Sequence, residues 1–170
     1  GPPVVAPFRG SDARFGTNPI CIAVPATKPG GRPLILDFAT SALAIGKVRV
    51  AHFAGKQMPE NCIVDHKGRP TTDPGAMYGS GPRGALLPFG AHKGSGLALV
   101  CEILAAALAG GGTNQPATPN DRGIVNCMFT IVVDPARFGD LAAFQAEAAA
   151  MIDYVKTSPP GGDLPVLVAG

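Results

Sequence analysis

The sequence has no tryptophan and few charged residues. Asp, Glu, Lys and Arg make up 15% of its 170 residues, and the formal net charge is +2. A nucleic-acid-binding surface usually shows a basic stripe or a strongly basic balance, whereas the basic residues here are scattered along the chain. We therefore expect no nucleic-acid partner. The 46% of hydrophobic residues is enough for a folded core.

Long apolar runs are also missing. A helix needs about 20 predominantly apolar residues to span a bilayer, and Gly, Glu or Asp interrupts every apolar stretch well short of that length. No basic-then-apolar signal segment opens the chain. We therefore expect a cytoplasmic protein that has no membrane partner.

The four cysteines are not clustered. Cys21, Cys62, Cys101 and Cys127 lie far apart, and no CxxC pair occurs. A structural zinc site needs clustered Cys and His, and a disulfide framework is typical of smaller, loop-rich secreted chains. The sequence therefore predicts reduced cysteines in the core and no metal site.

Two common nucleotide-binding fingerprints are absent as well. No strand-like run is followed by G-x-G-x-x-G, and G-x-x-x-x-G-K-[ST] does not occur. The three histidines, His52, His66 and His92, have no metal-ligand or catalytic-triad partner at a recognisable spacing. If a nucleotide binds, it binds in another way.

Short apolar runs between turns predict the first elements. Residues 1–13 contain several prolines and little periodicity, which predicts an irregular lead-in. Apolar runs at 20–24 and 34–38 predict two buried strands joined by a hairpin-like Pro/Gly-rich connection.

A helical spacing follows the second strand. It runs from Ser41 to Phe53, with Thr40 or Ser41 as a cap of the first turn and Gly55 as the stop. Residues 56–88 are rich in Gly, Pro and Asp, which predicts a surface excursion with, at most, a short strand pair.

The second half of the chain carries the stronger patterns. Residues 97–108 are rich in Ala and Leu and apolar nearly all round, which predicts a buried central helix. Residues 124–133 give the strongest strand signal. Residues 138–156 predict an amphipathic helix, and residues 164–168 a strand or an extended segment. Such alternation of strands and helices usually indicates a doubly wound parallel sheet.

The segment His92-Lys93-Gly94-Ser95-Gly96 is a candidate anion site. A glycine-rich turn that opens a helix presents free backbone N–H groups at the positive end of the helix dipole. Lys93 adds a charge, and glycine lets a ligand approach the backbone closely. The alternative is that the glycines serve helix packing and the lysine serves solubility.

Asp37 marks a second candidate position. It ends a strand-like run and precedes Ala39, Thr40 and Ser41 at a predicted strand-to-helix junction, where ligands often bind in α/β sheets. The alternative is an ordinary helix N-cap region, in which these side chains satisfy backbone donors. The residues alone favour the N-cap.

Four segments occur in a fixed order along the chain. They are Arg14-Phe15-Gly16-Thr17-Asn18-Pro19; Asp37-Phe38-Ala39-Thr40-Ser41 with Ala44 and Gly46-Lys47-Val48; Gly68-Arg69-Pro70-Thr71-Thr72-Asp73-Pro74; and Leu87-Pro88-Phe89-Gly90-Ala91-His92-Lys93-Gly94-Ser95-Gly96-Leu97-Ala98 followed by Glu102-Ile103-Leu104. With this order and spacing, residues 14–170 resemble the type-2 malate/L-lactate dehydrogenases.

The resemblance implies an α+β fold with α/β-like alternation. Its largely antiparallel mixed sheet is flanked by helices, and the domain, residues 14–170, binds NAD or NADP without a Rossmann fold. It also implies a small-molecule 2-oxo or 2-hydroxy acid substrate and a homodimer. The implied cofactor-binding residues are Leu36, Asp37, Phe38, Ala39, Thr40, Ser41, His92, Lys93 and Gly94.

The sequence departs from the family's pattern at both ends. In the family, the acid/base histidine and a nearby arginine lie in an N-terminal helical region with a Ser-His-Gly context, which has no counterpart here. The end at Val168-Ala169-Gly170 resembles the start of a Pro-Gly-Glu segment, but the proline and glutamate are absent. We therefore assign no catalytic residue in this chain and expect it to be inactive alone.

Three hypotheses follow. The first is an incomplete oxidoreductase that transfers hydride between a nicotinamide and a 2-oxo or 2-hydroxy acid. The second is a non-catalytic dinucleotide-binding remnant or structural subunit. A hydrolase is disfavoured, because no nucleophile stands beside a base at a recognisable spacing. The sequence does not distinguish NAD from NADP.

Overall fold

A computed structural model describes residues 2–28, 30–118 and 125–169. The chain divides into two compact units, which we call the first unit (Gly1–Ile20 with Phe38–Phe129) and the second unit (Cys21–Asp37 with Thr130–Gly170). The strands are β1 Ile20–Val24, β2 Leu34–Phe38, β3 Ile63–Val64, β4 Pro70–Thr71 and β5 Ala85–Leu86. The helices are α1 Ile45–Phe53, α2 Gly75–Tyr78, α3 His92–Cys101 and α4 Leu141–Lys156, with a π-helix at Glu102–Leu108 and a 3-10 helix at Pro135–Arg137.

The core of the first unit is built on a three-stranded antiparallel sheet. β3 lies between β4 and β5, and Ile63 faces Thr71 on one side and Leu86 on the other. Ile63 and Leu86 are fully buried. Residues 56–88 are therefore not a surface excursion, and that prediction was wrong. The turn residues of this segment do form turns, but they separate strands of only two residues each, which are too short to produce a hydrophobic period.

The segment before Arg14 contributes to the same core. Its described residues, 2–13, form no helix or strand, yet Val5 and Ala6 are fully buried. Val5 bridges to Phe15 and to Leu86. This irregular segment therefore supplies two buried side chains to the core of the first unit.

Helix α1 packs onto this core through Val48, which is fully buried. The predicted helix is confirmed, but its cap is not: Ala44 is the N-cap and makes no side-chain hydrogen bond. Thr40 and Ser41 lie before the helix, where their hydroxyls bind other backbone carbonyls. The helix ends at Phe53, and Gly55 follows with a φ of 63°, as a left-handed stop requires.

Helix α3 begins at His92 rather than Leu97, and it continues as the π-helix up to Leu108. The predicted glycine-rich turn is therefore the first part of the helix itself. Within α3 only Gly94 and Ala98 are buried. The prediction of a buried central helix was wrong: Leu99 and Val100 are about half exposed. An apolar composition does not determine which side chains of a helix other elements cover.

The expected strand at 124–133 is also absent. Ile124 lies outside the described residues, and residues 125–133 have no regular secondary structure. Most of their apolar side chains are exposed, up to 90% for Val132. Strand-forming residues still need a hydrogen-bonded neighbour, and the described part of this segment pairs with no strand.

The second unit contains the paired strands β1 and β2 and helix α4. Both strands were predicted, but their central residues are exposed rather than buried. The amphipathic helix is confirmed at Leu141–Lys156, and the Asp140 carboxylate caps it by accepting the Ala142 N–H at 2.8 Å. Residues 164–168 form no strand. The chain thus combines helices with antiparallel sheet, as the coarse prediction of the fold class states.

The four cysteines are free thiols, and only Cys62 is buried, so their placement in the core is confirmed for that residue alone. Among the described helices, none has the length and apolar character needed to cross a membrane.

Candidate functional site

The structure brings two of the predicted segments together in the first unit. The Phe89 N–H donates a hydrogen bond of 3.0 Å to the Thr40 carbonyl, and Ser41 forms an antiparallel bridge with Pro88. The rings of Phe38 and Phe89 meet edge to face, with centroids 5.4 Å apart. Residues 38–41 and the segment that leads into α3 therefore form one continuous surface.

Within this surface, the Thr40 and Ser41 hydroxyls are already engaged. Thr40 Oγ1 donates to the carbonyls of Thr17 and Asn18 at 2.9 and 3.0 Å, and Ser41 Oγ donates to the Leu43 carbonyl at 2.7 Å. Both residues are buried. Their side chains hold the backbone in place, and a ligand would meet the half-buried residues Phe38 and Ala39 beside them.

The other predicted residues differ in accessibility. Phe38 and Ala39 are half-buried in the first unit, and Leu36 and Asp37 are exposed residues of β2 in the second unit. His92 and Lys93 are exposed on the first turn of α3. His92 and Lys93 can therefore reach a ligand directly.

The backbone amides at the start of α3 are less available than expected. The N–H groups of Lys93, Gly94 and Ser95 donate to the carbonyls of Gly90, Phe89 and Ala91 at 3.2, 2.9 and 3.3 Å. Two of the orphan donors of this helix N-terminus, the N–H groups of Lys93 and Gly94, are thus satisfied within the chain. Sequence reasoning missed this because it placed the helix start after these residues. Anion binding here would depend on side chains.

Gly94 is packed tightly against the backbone of Phe89 and Thr40. A Cβ atom on Gly94 would lie 2.3 Å from the Phe89 carbonyl oxygen and 2.8 Å from the Thr40 carbonyl oxygen. Ala91, just before α3, has a φ of 56°. A residue other than glycine in this region stores about 1 to 3 kcal/mol of strain, which often marks a functional segment.

Two residues at this site were missed by sequence reasoning. The Phe8 ring meets the His92 ring edge to face, with centroids 5.9 Å apart, and the Phe8 N–H donates to Ser95 Oγ at 3.0 Å. The Arg9 guanidinium lies 5.0 Å from the centre of the Phe8 ring. No signal in the sequence placed this segment beside α3, because the contact joins residues far apart in the chain.

No group of three or more His, Cys, Asp or Glu side chains among the described residues is arranged to hold a metal ion.

The model of the malate/L-lactate dehydrogenase family matches residues 1–170 of this chain. The chain belongs to the malate/L-lactate dehydrogenase family. The resemblance seen in the sequence is thereby confirmed, and the family and its curated relatives are oxidoreductases.

Three relatives of the family illustrate the similarity. The chain is 46% identical to hydroxycarboxylate dehydrogenase B of Escherichia coli K12, over all of this chain and 46% of the relative. It is 48% identical to the L-lactate dehydrogenase of Cupriavidus necator, over 93% of this chain and 45% of the relative. The solved sulfolactate dehydrogenase of Methanocaldococcus jannaschii is 34% identical with a TM-score of 0.76, over 99% of this chain and 48% of that structure. The chain thus spans about half the length of these relatives.

Proposed function

We propose that this chain is the cofactor-binding part of an NAD(P)-dependent dehydrogenase of 2-hydroxy acids. Family membership supports the reaction class. The observation that carries the proposed site is the surface formed by residues 38–41 and the start of α3, where Phe38 packs on Phe89 and the backbone of Thr40 binds that of Phe89.

The proposed cofactor contacts divide into a wall and a charged corner. The wall is formed by residues 38–41 of the first unit; its buried hydroxyls fix the backbone, and the Phe38 ring offers an apolar surface. The corner is the first turn of α3, where His92 and Lys93 are exposed and Gly94 allows close packing beneath them. Because the amides of Lys93 and Gly94 are already paired, Lys93 is the proposed contact for a dinucleotide phosphate. The absence of a Rossmann fingerprint supports binding outside a Rossmann fold.

NADH or NADPH, when bound, supplies hydride transfer between C4 of the nicotinamide and the carbon of a 2-oxo or 2-hydroxy acid. The part of this chain is to bind and orient the dinucleotide, and none of its residues is assigned the proton transfer to the substrate oxygen.

The proposed assembly is a homodimer. Leu99, Val100 and Ile103 are exposed apolar side chains, and exposed apolar surface of this kind often marks a contact with another subunit. The proposed location is the cytoplasm, in line with four free thiols.

A cofactor titration tests the proposal. The chain has no tryptophan, so the change in the emission of NADH or NADPH itself reports binding. Lys93→Ala removes a charge-assisted contact worth roughly 1.5 to 3 kcal/mol, and the cofactor Kd should rise about tenfold or more. Lys56→Ala, another exposed lysine of the first unit, is the matched control and should leave the Kd unchanged.

Melting curves without cofactor separate binding from folding. Lys93 is exposed and lies at the positive end of a helix dipole, so its removal should leave the Tm nearly unchanged. Unchanged cofactor affinity in Lys93→Ala would contradict the site assignment, and no binding of either cofactor to the wild-type chain would contradict the proposed function.

A further inference from the structure

Two segments outside the proposed cofactor surface meet in the first unit: the residues around Asn18 and the junction between α3 and the π-helix. Asn18 Nδ2 donates hydrogen bonds to the Glu102 carboxylate at 2.8 Å and to the Ala98 carbonyl at 3.0 Å. Because α3 has ten residues, Glu102 lies about 15 Å along the helix axis from its start. Asn18 therefore binds the end of α3 that is far from Lys93.

Both the backbone and the side chain of residue 18 suit asparagine. Its φ is 39°, and asparagine is one of the few residues other than glycine that adopt the left-handed region readily. The carboxylate of Glu102 and the carbonyl of Ala98 are both acceptors, so the NH₂ side of the amide must face them. A Cβ on Gly16 would lie 2.7 Å from Asn18 Oδ1, so the oxygen side packs on a residue that has no side chain.

The backbone beside the same amide holds the wall. Thr40 Oγ1 donates to the carbonyls of Thr17 and Asn18 at 2.9 and 3.0 Å, and the Thr40 N–H donates to the Thr17 carbonyl at 2.9 Å. The Thr40 carbonyl in turn accepts the N–H of Phe89, which leads into α3, at 3.0 Å. The wall is therefore joined to the start of α3 through Phe89 and to its far end through Asn18.

A helix that is attached at one end only can pivot, whereas a helix attached at both ends keeps its direction. The exposed side chain of Lys93 stands on α3, and the wall stands on the other side of these attachments. A binding site needs its contact groups held in place by supporting hydrogen bonds, because a small displacement weakens each contact. The bonds of Asn18 supply such support between the two parts of the proposed cofactor site.

We propose that Asn18 is a positioning residue for cofactor binding, and that Glu102 is the acceptor through which it acts. The pair fixes α3 against the wall, so that Lys93 keeps its place beside residues 38–41. This inference rests on the proposed function and adds to it the residues that set the geometry of the site. Since the Asn18 amide is occupied by Glu102 and Ala98, Asn18 acts through α3 and not by touching the cofactor.

Titration of the full chain with NADH and NADPH tests the pair. Asn18→Asp keeps the size of the side chain and the tolerance for a positive φ, but it turns an oxygen toward Glu102. The cofactor Kd should rise about threefold or more, a part of the roughly tenfold loss expected for removal of the Lys93 contact itself. Adding Glu102→Gln supplies an amide N–H that faces the new carboxylate, and it should return the Kd to within about twofold of the wild type.

Asn61→Asp is the matched control. It is the same chemical change at an exposed residue of the first unit with a φ of 59°, and it should leave the Kd unchanged. A double-mutant cycle then separates positioning from folding: in a Lys93→Ala background, Asn18→Asp should cost about twofold or less, because the displaced contact is already absent. Melting curves show that each variant is folded at the temperature of the titration. Without cofactor, the backbone amide NMR signals of Phe89 and Lys93 should shift in Asn18→Asp and stay in place in Asn61→Asp.

A folded Asn18→Asp chain with the Kd of the wild type, or an equal loss with and without Lys93, overturns the positioning role. Failure of Glu102→Gln to restore the Kd overturns Glu102 as the acceptor. If Asn18→Asp does not fold, Glu102→Gln alone takes its place, and it should raise the Kd and shift the signals of Phe89 and Lys93 in the same way. If the wild-type chain binds neither cofactor, the proposed function is refuted, and the NMR signals decide the positioning role separately: unmoved signals in Asn18→Asp overturn it, and shifted signals support it.

Discussion

The side-chain amide of Asn18 donates a hydrogen bond of 2.8 Å to the carboxylate of Glu102 and another of 3.0 Å to the carbonyl of Ala98. The second carboxylate oxygen of Glu102 accepts the backbone N–H of Asn114. Glu102 is the first residue of the π-helix. The half-buried Glu102 carboxylate is therefore hydrogen-bonded to Asn18, which precedes β1, and to Asn114, in the loop after the π-helix. It lies at the residue where the α-helix gives way to the π-helix.

Glu102→Ala should destabilise the chain. It leaves the donors of Asn18 and Asn114 without their acceptor, and hydrogen bonds to a charged group are worth roughly 1.5 to 3 kcal/mol. We expect the free energy of unfolding to fall by about that amount, and Glu102→Gln to cost less because it retains an acceptor. Urea unfolding followed by circular dichroism measures both.

The control for that experiment is Glu147→Ala, an exposed glutamate on α4. A surface change of this kind usually stays within about 0.5 kcal/mol. Equal losses of stability in Glu102→Ala and Glu147→Ala would show that the network around Asn18 contributes nothing.

Two glycines of α3 should respond in opposite directions to alanine. In Gly94→Ala the new Cβ meets backbone oxygens of Phe89 and Thr40 at 2.3 and 2.8 Å, and backbone atoms cannot rotate away. Overpacking of this kind costs roughly 1 to 3 kcal/mol. In Gly96→Ala the Cβ meets nothing within 4 Å, and alanine should stabilise a helix interior by about 0.5 to 1 kcal/mol.

The pair is measured by urea unfolding under identical conditions, with cofactor titrations alongside. If Gly94→Ala unfolds at the same urea concentration as the wild type, the close approach of α3 to Thr40 is not present in solution. A loss of cofactor affinity in Gly94→Ala without loss of stability would favour the original idea of a ligand-approach glycine.

The fold could be predicted from the sequence where a pattern is long. The spacing over residues 138–156 gave α4, and the apolar runs at 20–24 and 34–38 gave β1 and β2. The strands β3 and β5 have two residues each, which is less than one period of any pattern. Periodicity therefore could not find the sheet that forms the core.

Burial was the property that the sequence predicted least well. Ile131 and Val132 are apolar and β-branched, but they are 72% and 90% exposed, because burial depends on a neighbouring element and not on the segment itself. The opposite holds for Val5, which is fully buried in a proline-rich segment without periodicity. Long-range pairing with Phe15 and Leu86 decides its place.

The sequence pointed to only some of the segments that the structure places beside the start of α3, for the same reason. Short motifs pointed to His92 and Lys93, and their exposure is compatible with ligand binding. Phe8 and Arg9 could not be found, because their position beside α3 results from contacts across more than 80 positions of the chain, as in the bond from Phe8 to Ser95.

The cysteines should differ in reactivity. Cys21 is exposed, whereas Cys62 is buried, and burial raises the pKa of the Cys62 thiol. Because the thiolate is the nucleophile, iodoacetamide at neutral pH should modify Cys21 before Cys62, as measured by mass spectrometry of peptides at timed intervals. Both should react at similar rates in denaturant. Native modification of Cys62 as fast as Cys21 would show that the core around β3 opens readily.

Asp65 should give the stability of the chain an acid-dependent component. Backbone hydrogen bonds from Arg69 and Lys67, with the nearby positive charges of His66 and Arg69, lower the pKa of the Asp65 carboxyl below its ordinary value. A carboxyl whose pKa is lower in the folded state contributes stability above its unfolded pKa of about 3.9, and this contribution is lost as the pH falls through the folded pKa.

Asp65→Asn keeps an oxygen that can accept these N–H groups, but it does not titrate. The stability difference between wild type and Asp65→Asn should therefore be constant near neutral pH and shrink as the pH falls below about 4. Urea unfolding of both proteins between neutral and acid pH measures it, and all other carboxylates cancel in the comparison. A difference that stays constant across the whole range, or that grows in acid, would show that the turn at residues 65–69 does not favour the ionised carboxylate.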